Sequence, residues 1–487
     1  MKHTKHYING KWIDGVGTFN NYSPSTGEVV GIIADANREI AQKAIEAAAA
    51  AFPKWAALDH VQRAKYLNKM ADILEARKQD FIDALIDEGG YWIGKAMFET
   101  GYSPGNFRAA AAATYQVKGE ILPSDHGKVN MIVREPLGVV TGIAPWNFPL
   151  LLGTRSFAMA LAVGNTIVSK PAEDTPLTGV LLAEVCEEAG LPPGVFNLVT
   201  CSRDTVNEVG DEIVVNKHIK AISFTGSTTV GKAIAAKAGA HLKKACLELG
   251  GQASIIVMDD ADMNKAVEAA TFGAYMNHGQ ICMSTERIIV HESLAKEFTE
   301  RMTKNVASIQ YGLDLRNPAN AVGPIINQKQ ADRLIGLIND AKTKGAKVLV
   351  GGEYEKNLVQ PTLFSEVTKD MDIYQNENFG PVASIYTYVN IEDAIAIAND
   401  TNYGLTGAVI SKDENKAMEV VNKMQTGMCH INCATVYDEP HIPFGGVKDS
   451  GIGRHGGQAA IDSFTQTRWI TLEKGGRHYP PPFKEKA

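Results

Sequence analysis

Between residues 137 and 433 the chain repeats one theme, a short β-branched run followed by a helical stretch. LGVVTGIA at 137–144, the apolar segment 150–163, NTIVSK at 165–170, a helix predicted from Pro176 to Ala189, VFNLVT at 195–200 and IKAISF at 219–224 form a first series of βα units. A second series starts at about 254 with SIIV, RIIVH, KVLVGG, VASIYTYV, AVISK and MCHIN, separated by helical segments such as 293–308 and 326–344. Strands joined by helices pair in parallel and need cover on both faces, so the predicted class is α/β. At 487 residues the chain exceeds a single core, and two or three globular units are expected. No Pro/Ser linker or fixed-period repeat separates the two series, and the LELGG turn near 250 is taken as the boundary.

Ahead of the first series, IAQKAIEAAAAAF reads as a helix. Val61, Ala64, Leu67, Met70 and Leu74 form one stripe of a second helix, predicted to stop near Gly89-Gly90. Segments 116–135 and the tail from 465 alternate like strands but stand apart from the βα series. Stray strands pair with each other or with another subunit, because an unpaired edge is a liability.

Composition removes several function classes. The net charge is −7, and no basic block offers a seat for a nucleic-acid backbone. No run of 18 uncharged apolar residues occurs and the polar N-terminus does not resemble a leader, so neither a membrane span nor secretion is expected. Six cysteines, at 186, 201, 246, 282, 429 and 433, form no CxxC pair, and HExxH is absent. The expectation is a cytoplasmic protein with reduced thiols and no metal. Cys429, His430 and Cys433 lack a fourth ligand and read as a buried strand, and neither His278 nor His430 receives a role.

Two nucleotide-binding motifs fall short of their structural conditions. GSTTVGKA at 226–233 approaches the P-loop pattern, but Ala233 stands where the magnesium-ligating hydroxyl belongs. A Gly-flexible turn with Ser227 at a helix start still suits a phosphate, and equally an ordinary strand-to-helix turn. The literal GxGxxG, Gly451 to Gly456, follows no predicted strand and reads as a glycine-rich loop.

Seven segments are far more specific in combination. APWNFP at 144–149, SKPAEDTPL at 169–177, FTGSTTVG at 224–231, LELGG at 247–251, GQICMSTER at 279–287, NENFGP at 376–381 and PFGGVKDSGIGR at 443–454 together resemble the aldehyde dehydrogenase superfamily, in its order and over nearly the whole chain. The wording PWNFPLLLGTRSFAMALAVGN is similar to the bacterial benzaldehyde, salicylaldehyde and vanillin dehydrogenase branch.

The resemblance implies a Rossmann-type cofactor domain over 1–115 and 137–248, an α/β catalytic domain over 249–445, and a small β oligomerisation element from 116–136 and 465–487. It implies that Cys282 adds to an aldehyde carbon, chemistry suited to a thiolate. The resulting oxyanion would be held by the Asn147 amide and the Cys282 N–H. Glu248 would activate the water that hydrolyses the thioester, which favours release of a free acid over transfer to CoA.

For the cofactor, the same resemblance places Lys170 and Glu173 at the adenosine ribose, Gly226, Ser227 and Gly231 beside the pyrophosphate, Glu377 at the nicotinamide ribose, and Phe379 and Trp146 along the cleft. A carboxylate at Glu173 accepts hydrogen bonds from free ribose hydroxyls and repels a 2′-phosphate, so NAD is preferred, with NADP tolerated through Lys170. Aromatic aldehydes are the first choice of substrate, with Phe148, Leu152, Ile281, Met283 and Tyr437 as an apolar slot. Arg155 would meet a polar ring substituent or pair with an acidic neighbour. The alternatives are an aliphatic aldehyde or semialdehyde dehydrogenase and a catalytically silent relative. A homodimer or homotetramer is expected.

Overall fold

The computed structural model describes residues 2–480 and 482–483; Met1, and positions 481 and 484–487 of the predicted tail element, lie outside the described residues. The first βα series builds an eight-stranded sheet. Its five central strands are parallel and lie in the order Lys244–Glu248, Ile219–Thr225, Val139–Ile143, Thr166–Lys170, Phe196–Leu198. His6–Ile8 and Lys11–Ile13 extend one edge antiparallel. From Val139–Ile143 the chain winds outward through two strands, then crosses back to Ile219–Thr225 on the other side. Where strand order reverses in this way, the carboxyl ends of the two neighbours diverge and leave a crevice.

The second series forms a seven-stranded sheet in the order Lys347–Val350, Thr362–Ser365, Val382–Tyr388, Thr285–His291, Ala253–Val257, Thr406–Ile410, Met428–Ile431. It is parallel except at the Lys347–Val350 edge. Every residue of Val139–Ile143, Thr166–Lys170, Ala253–Val257 and Thr406–Ile410 is buried, the signature of strands covered on both faces. Only residues 249–252 separate the last parallel strand of the first sheet from the start of the second.

Two local expectations change and a third is met. The stripe Ala64, Leu67, Met70 and Leu74 is buried as read, but its helix breaks at Arg77. The Arg77 backbone leaves the helical region while its guanidinium bridges Asp80, Glu184 and Glu188, and a new helix, Lys78–Gly89, ends at left-handed Gly90. The Gly451–Gly456 motif is not only a loop. Gly451–Ile452 is a short strand paired antiparallel with Lys244–Glu248, and helix Gly457–Phe464 follows it into the core of the first sheet. The stray segments do pair with each other: Glu120–Leu122, Val129–Pro136 and Thr465–Leu472 form a three-stranded sheet.

Two buried carboxylates fasten the helices that start at the first sheet. Glu99 Oε1 accepts from the N–H groups of Leu150 (2.8 Å) and Leu151 (2.9 Å), capping helix Pro149–Ala162, while its other oxygen pairs with buried Lys95. Glu88 does the same for helix Pro176–Glu188 through Leu177 and Thr178. A carboxylate suits these unpaired N–H groups and the positive end of the helix dipole. Burial nevertheless pushes Glu88 up to about 8 and Lys95 down to about 8.

Removing Glu99 would strand the Lys95 ammonium in a dry site, a loss of about 3–5 kcal/mol. Glu99→Ala is expected to lower the thermal midpoint sharply, and Glu99→Gln to recover part of it by keeping one acceptor. Differential scanning calorimetry checks both.

Candidate active site

Cys282 lies in a turn that only an unusual backbone can make. Asn277, His278 and Gly279 all have positive φ (50°, 59° and 67°), a run that L residues avoid and that concentrates at functional sites. A Cβ on Gly279 would lie 2.0 Å from the Gly380 carbonyl oxygen, and one on Gly251 would lie 2.1 Å from the Cys282 carbonyl oxygen. The turn is therefore clamped between the Gly380 loop and the crossing at 249–252. Asn147 is tied to it as well. Its Nδ2 donates to the Gln280 carbonyl (3.0 Å), and Asn277 Nδ2 donates to the Asn147 carbonyl (3.2 Å).

Asn147 itself follows strand Val139–Ile143, on the segment held by the Glu99 cap and by the Tyr91 hydroxyl, which donates to the Trp146 carbonyl. Among the described residues no protein group accepts from the Cys282 N–H. Burial pushes the Cys282 thiol up to about 12, with the Glu377 and Glu248 carboxylates adding to the effect. The thiol is protonated until a base or a substrate changes its surroundings.

Glu248 ends strand Lys244–Glu248 and is buried, with neither carboxylate oxygen hydrogen-bonded. Burial raises it well above the ordinary carboxylate range, against the pull of Arg155 and Arg454. A desolvated carboxyl without a hydrogen bond is poised to exchange a proton, although Glu248 itself lines neither of the two hollows that flank Cys282.

Cys282 and Asn147 are the wall between two hollows. On one side is a cleft of 350 Å³ at the crevice of the first sheet, lined by Trp146, Gly226, Ser227, Thr228, Glu377 and Phe379 among others. Ser227 caps helix Thr228–Ala240, whose first N–H groups open there. Glu377 Oε1 accepts from Gly251 N–H (2.7 Å), and burial lifts its carboxyl to about 7. The ring of Phe379, a residue with φ 49°, meets Trp146 edge-on at 5.3 Å. Glu286 fixes that loop by accepting from the N–H groups of Asn378 and Phe379, and Arg333 donates to the carbonyls of Glu377 and Asn378.

On the other side is an apolar cavity of 480 Å³ containing Phe148, Leu152, Ile281, Met283, Arg155 and Tyr437, all named from the sequence. Tyr437 is half exposed at its rim and donates to Glu439. Arg155 both lines the cavity and pairs with Asp438, its guanidinium 4.7 Å from the Phe444 ring centre.

Other sequence candidates lie elsewhere. Gly231 is packed inside helix Thr228–Ala240 against Leu249. Lys170 and Glu173 pair at the end of the neighbouring strand, and Glu173 faces a separate groove of 650 Å³ with Asn20–Gly27 and Arg203. Cys429 and His430 are only half buried, and Cys433 opens into the apolar cavity rather than a strand interior.

Sequence reasoning missed Phe98, Phe272, Met276, Asp438 and Phe444 in the cavity, and Arg333 and Tyr403 in the cleft. Phe272 and Met276 were within reach: they sit four apart at the end of helix Met263–Tyr275, directly before the GQIC turn.

A model of the aldehyde dehydrogenase family matches residues 12–470. The chain is 45% identical over 466 residues to a vanillin dehydrogenase from Pseudomonas sp., covering 95% of this chain and 96% of that protein. The crystal structure of a salicylaldehyde dehydrogenase from Pseudomonas putida G7 complexed with salicylaldehyde superposes with a TM-score of 0.96, at 40% identity over 99% of this chain and 100% of that one. A betaine aldehyde dehydrogenase from Staphylococcus aureus in complex with NAD+ gives 0.95 at 32% identity, covering 99% and 97%. The chain belongs to the aldehyde dehydrogenase family.

Proposed function

We propose that this NAD(P)-dependent aldehyde dehydrogenase oxidises an aromatic aldehyde to its carboxylic acid, with Cys282 as nucleophile and Glu248 as general base. The observation that carries this reading is the shared wall: Cys282 and Asn147 border both the 480 Å³ apolar cavity and the 350 Å³ cleft. The similarity to vanillin and salicylaldehyde dehydrogenases supports the aromatic class. Aromatic walls at Phe148, Phe272 and Phe444 suit a flat ring.

The Cys282 thiol gives its proton to solvent as its sulfur bonds to the aldehyde carbon, and the carbonyl electron pair moves to oxygen. Asn147 Nδ2 and the unclaimed Cys282 N–H stabilise that oxyanion, each donor worth about 3–4 kcal/mol in a dry site. The cleft fits a dinucleotide: the N-terminus of helix Thr228–Ala240 would hold a phosphate, and Glu377, oriented by Gly251, would accept from ribose hydroxyls. When bound, the dinucleotide supplies the hydride acceptor that leaves a thioester on Cys282. Glu248 then takes a proton from the attacking water, and the acid departs as the thiolate is released.

A dinucleotide reaching beyond the cleft to Glu173 would meet a carboxylate that repels a 2′-phosphate, which supports NAD over NADP, although Glu173 faces a separate groove and is paired with Lys170. Six free cysteines support a reducing, cytoplasmic setting. Among the described residues no helix is long and apolar enough to cross a membrane.

Cys282→Ala is expected to abolish aldehyde oxidation. Glu248→Gln should keep a first-turnover burst of reduced cofactor while slowing steady turnover by about 10²–10⁴-fold, the range of general-base loss. Because the free carboxyl titrates well above the usual range, turnover of the unsubstituted enzyme should rise with pH as Glu248 loses its proton. Glu248→Gln should flatten that limb. Unchanged steady turnover in Glu248→Gln would remove the general-base role.

A panel of benzaldehyde, vanillin, a medium-chain alkanal and succinate semialdehyde, each with NAD and NADP, should give the highest kcat/KM for the aromatic pair with NAD. Preference for the alkanal or the semialdehyde defeats the aromatic reading. A higher kcat/KM with NADP than with NAD defeats the cofactor preference.

The three-stranded sheet leaves Ile121 and Trp469 76% and 68% exposed, which supports its use as an oligomer interface. Trp469→Asp should shift the particle toward monomer in analytical ultracentrifugation. An unchanged sedimentation coefficient would place the interface elsewhere.

A further inference from the structure

We propose that Cys246, Glu248 and His455 form a binding site for one zinc-class divalent cation, set behind the Cys282 cavity. The site follows from strand geometry. Side chains two apart on a strand share a face, so Cys246 and Glu248 of Lys244–Glu248 point the same way. Strand Gly451–Ile452 pairs antiparallel with that strand, Leu247 opposite Ile452 and Glu248 opposite Gly451. The glycine-rich chain after it returns His455 over the same face.

The three donor atoms lie within 4.8 Å of one another and all three residues are buried. His455 Nδ1 is 3.9 Å from Glu248 Oε1 and 3.9 Å from Cys246 Sγ. Tetrahedral zinc with these ligands has donor–donor edges of about 3.3–3.7 Å, so the two His455 edges must contract by about half an ångström and the Cys246–Glu248 edge, within 4.8 Å, by at most about an ångström and a half. On its other side, His455 Nε2 lies 2.9 Å from Ser223 Oγ. With Ser223 accepting, the proton sits on Nε2 and the Nδ1 lone pair faces Cys246 and Glu248, the outer-shell arrangement that orients metal-binding histidines.

Both Glu248 oxygens lack any hydrogen-bond partner although buried, an unmet demand that a cation satisfies. A sulfur, nitrogen and oxygen set selects zinc or cobalt over magnesium or calcium.

Charge balances as well. Binding drives the proton off the Cys246 thiol and any proton off the Glu248 carboxyl into solvent, leaving two negative ligands against a dication. That neutrality is needed because Arg155 and Arg454 lie close to Glu248. Three protein ligands leave the fourth position of a tetrahedral ion open to water, and a 20 Å³ cavity against His455 shares Arg155 and Phe444 with the apolar cavity.

The functional consequence rests on Glu248 being the base. A bound ion occupies its carboxylate, so the Cys282 thioester forms but is not hydrolysed.

The test uses the full-length chain stripped of metal. Cobalt titrated into Cys282→Ala protein should bind at one equivalent per chain, with thiolate-to-cobalt charge-transfer absorption and a raised thermal midpoint. Adding Cys246→Ser should abolish both signals, and adding His455→Asn should weaken binding at least about tenfold while leaving the thiol in place. Full-amplitude absorption in the Cys246→Ser protein, or no stoichiometric binding in Cys282→Ala, overturns the site.

In the unsubstituted enzyme, zinc should suppress steady turnover and spare the first-turnover burst, and Cys246→Ser should need at least about tenfold more zinc for the same effect. If cobalt binds as expected and zinc leaves turnover untouched, the metal site stands and the general-base reading of Glu248 falls.

Discussion

The position of everything reactive in this molecule goes back to Glu99. Its carboxylate caps helix Pro149–Ala162, and its second oxygen holds Lys95, whose ammonium also sits 3.4 Å from the Tyr91 ring centre and 4.4 Å from that of Phe148. Tyr91 in turn donates to the Trp146 carbonyl. One buried ion pair thus fixes both ends of the segment that carries Trp146, Asn147 and Phe148. Loops that bear function are usually mobile, and here the mobility is removed by charge placed under the loop.

The same device recurs across the site. Glu88 caps the helix beginning at Pro176, Glu286 holds the N–H groups of Asn378 and Phe379, and Glu377 holds Gly251. Each joins segments about 90 to 130 positions apart. Burial pushes Glu88, Glu286 and Glu377 up to about 8, 8 and 7, so each is costly to ionise where it sits. Glu248 is the exception: it carries the same burial and satisfies no N–H. A carboxyl kept in place without structural partners fits the proposed base role, and the fold tolerates its cost because the neighbouring loops are fastened by others.

This pattern also explains what the sequence could and could not reveal. Alternating β-branched and helical runs outlined both sheets, and short motifs such as PWNFP, LELGG and GQIC marked the turns at their ends. Glu88, Glu99 and Glu286 gave no sign because a lone acidic residue reads as solvated surface, and Glu377 was named as a ribose contact but not as the acceptor that holds Gly251. The burial of each depends on a partner segment far along the chain. Glu286 stands inside GQICMSTER and still gave no sign of a backbone role. The break at Arg77 was hidden for the same reason, since Glu184 and Glu188 lie more than a hundred residues downstream. His455 lay within a glycine pattern that failed as a Rossmann fingerprint, and only the pairing of Gly451–Ile452 with Lys244–Glu248 reveals its neighbours. Arg155 was readable as either a cavity residue or half of an ion pair, and it is both.

The short crossing at 249–252 connects these facts into one requirement. Transfer of hydride needs the substrate carbon within about 3–3.5 Å of its acceptor, so the partition between the two hollows must thin to Asn147 and Cys282 and open there. A wall made of a single sheet would be too thick, because both faces of each parallel strand are covered by helices. Here the chain passes from one sheet to the next in four residues, and Gly251 lets the Cys282 carbonyl approach where any Cβ would collide. Asn147 arrives from the first sheet and Cys282 from the second, and their hydrogen-bonded contact through Gln280 is the place where the two halves meet. The division into two βα series, placed from the sequence at the LELGG turn near 250, is thus the condition for a partition that thins to one side chain.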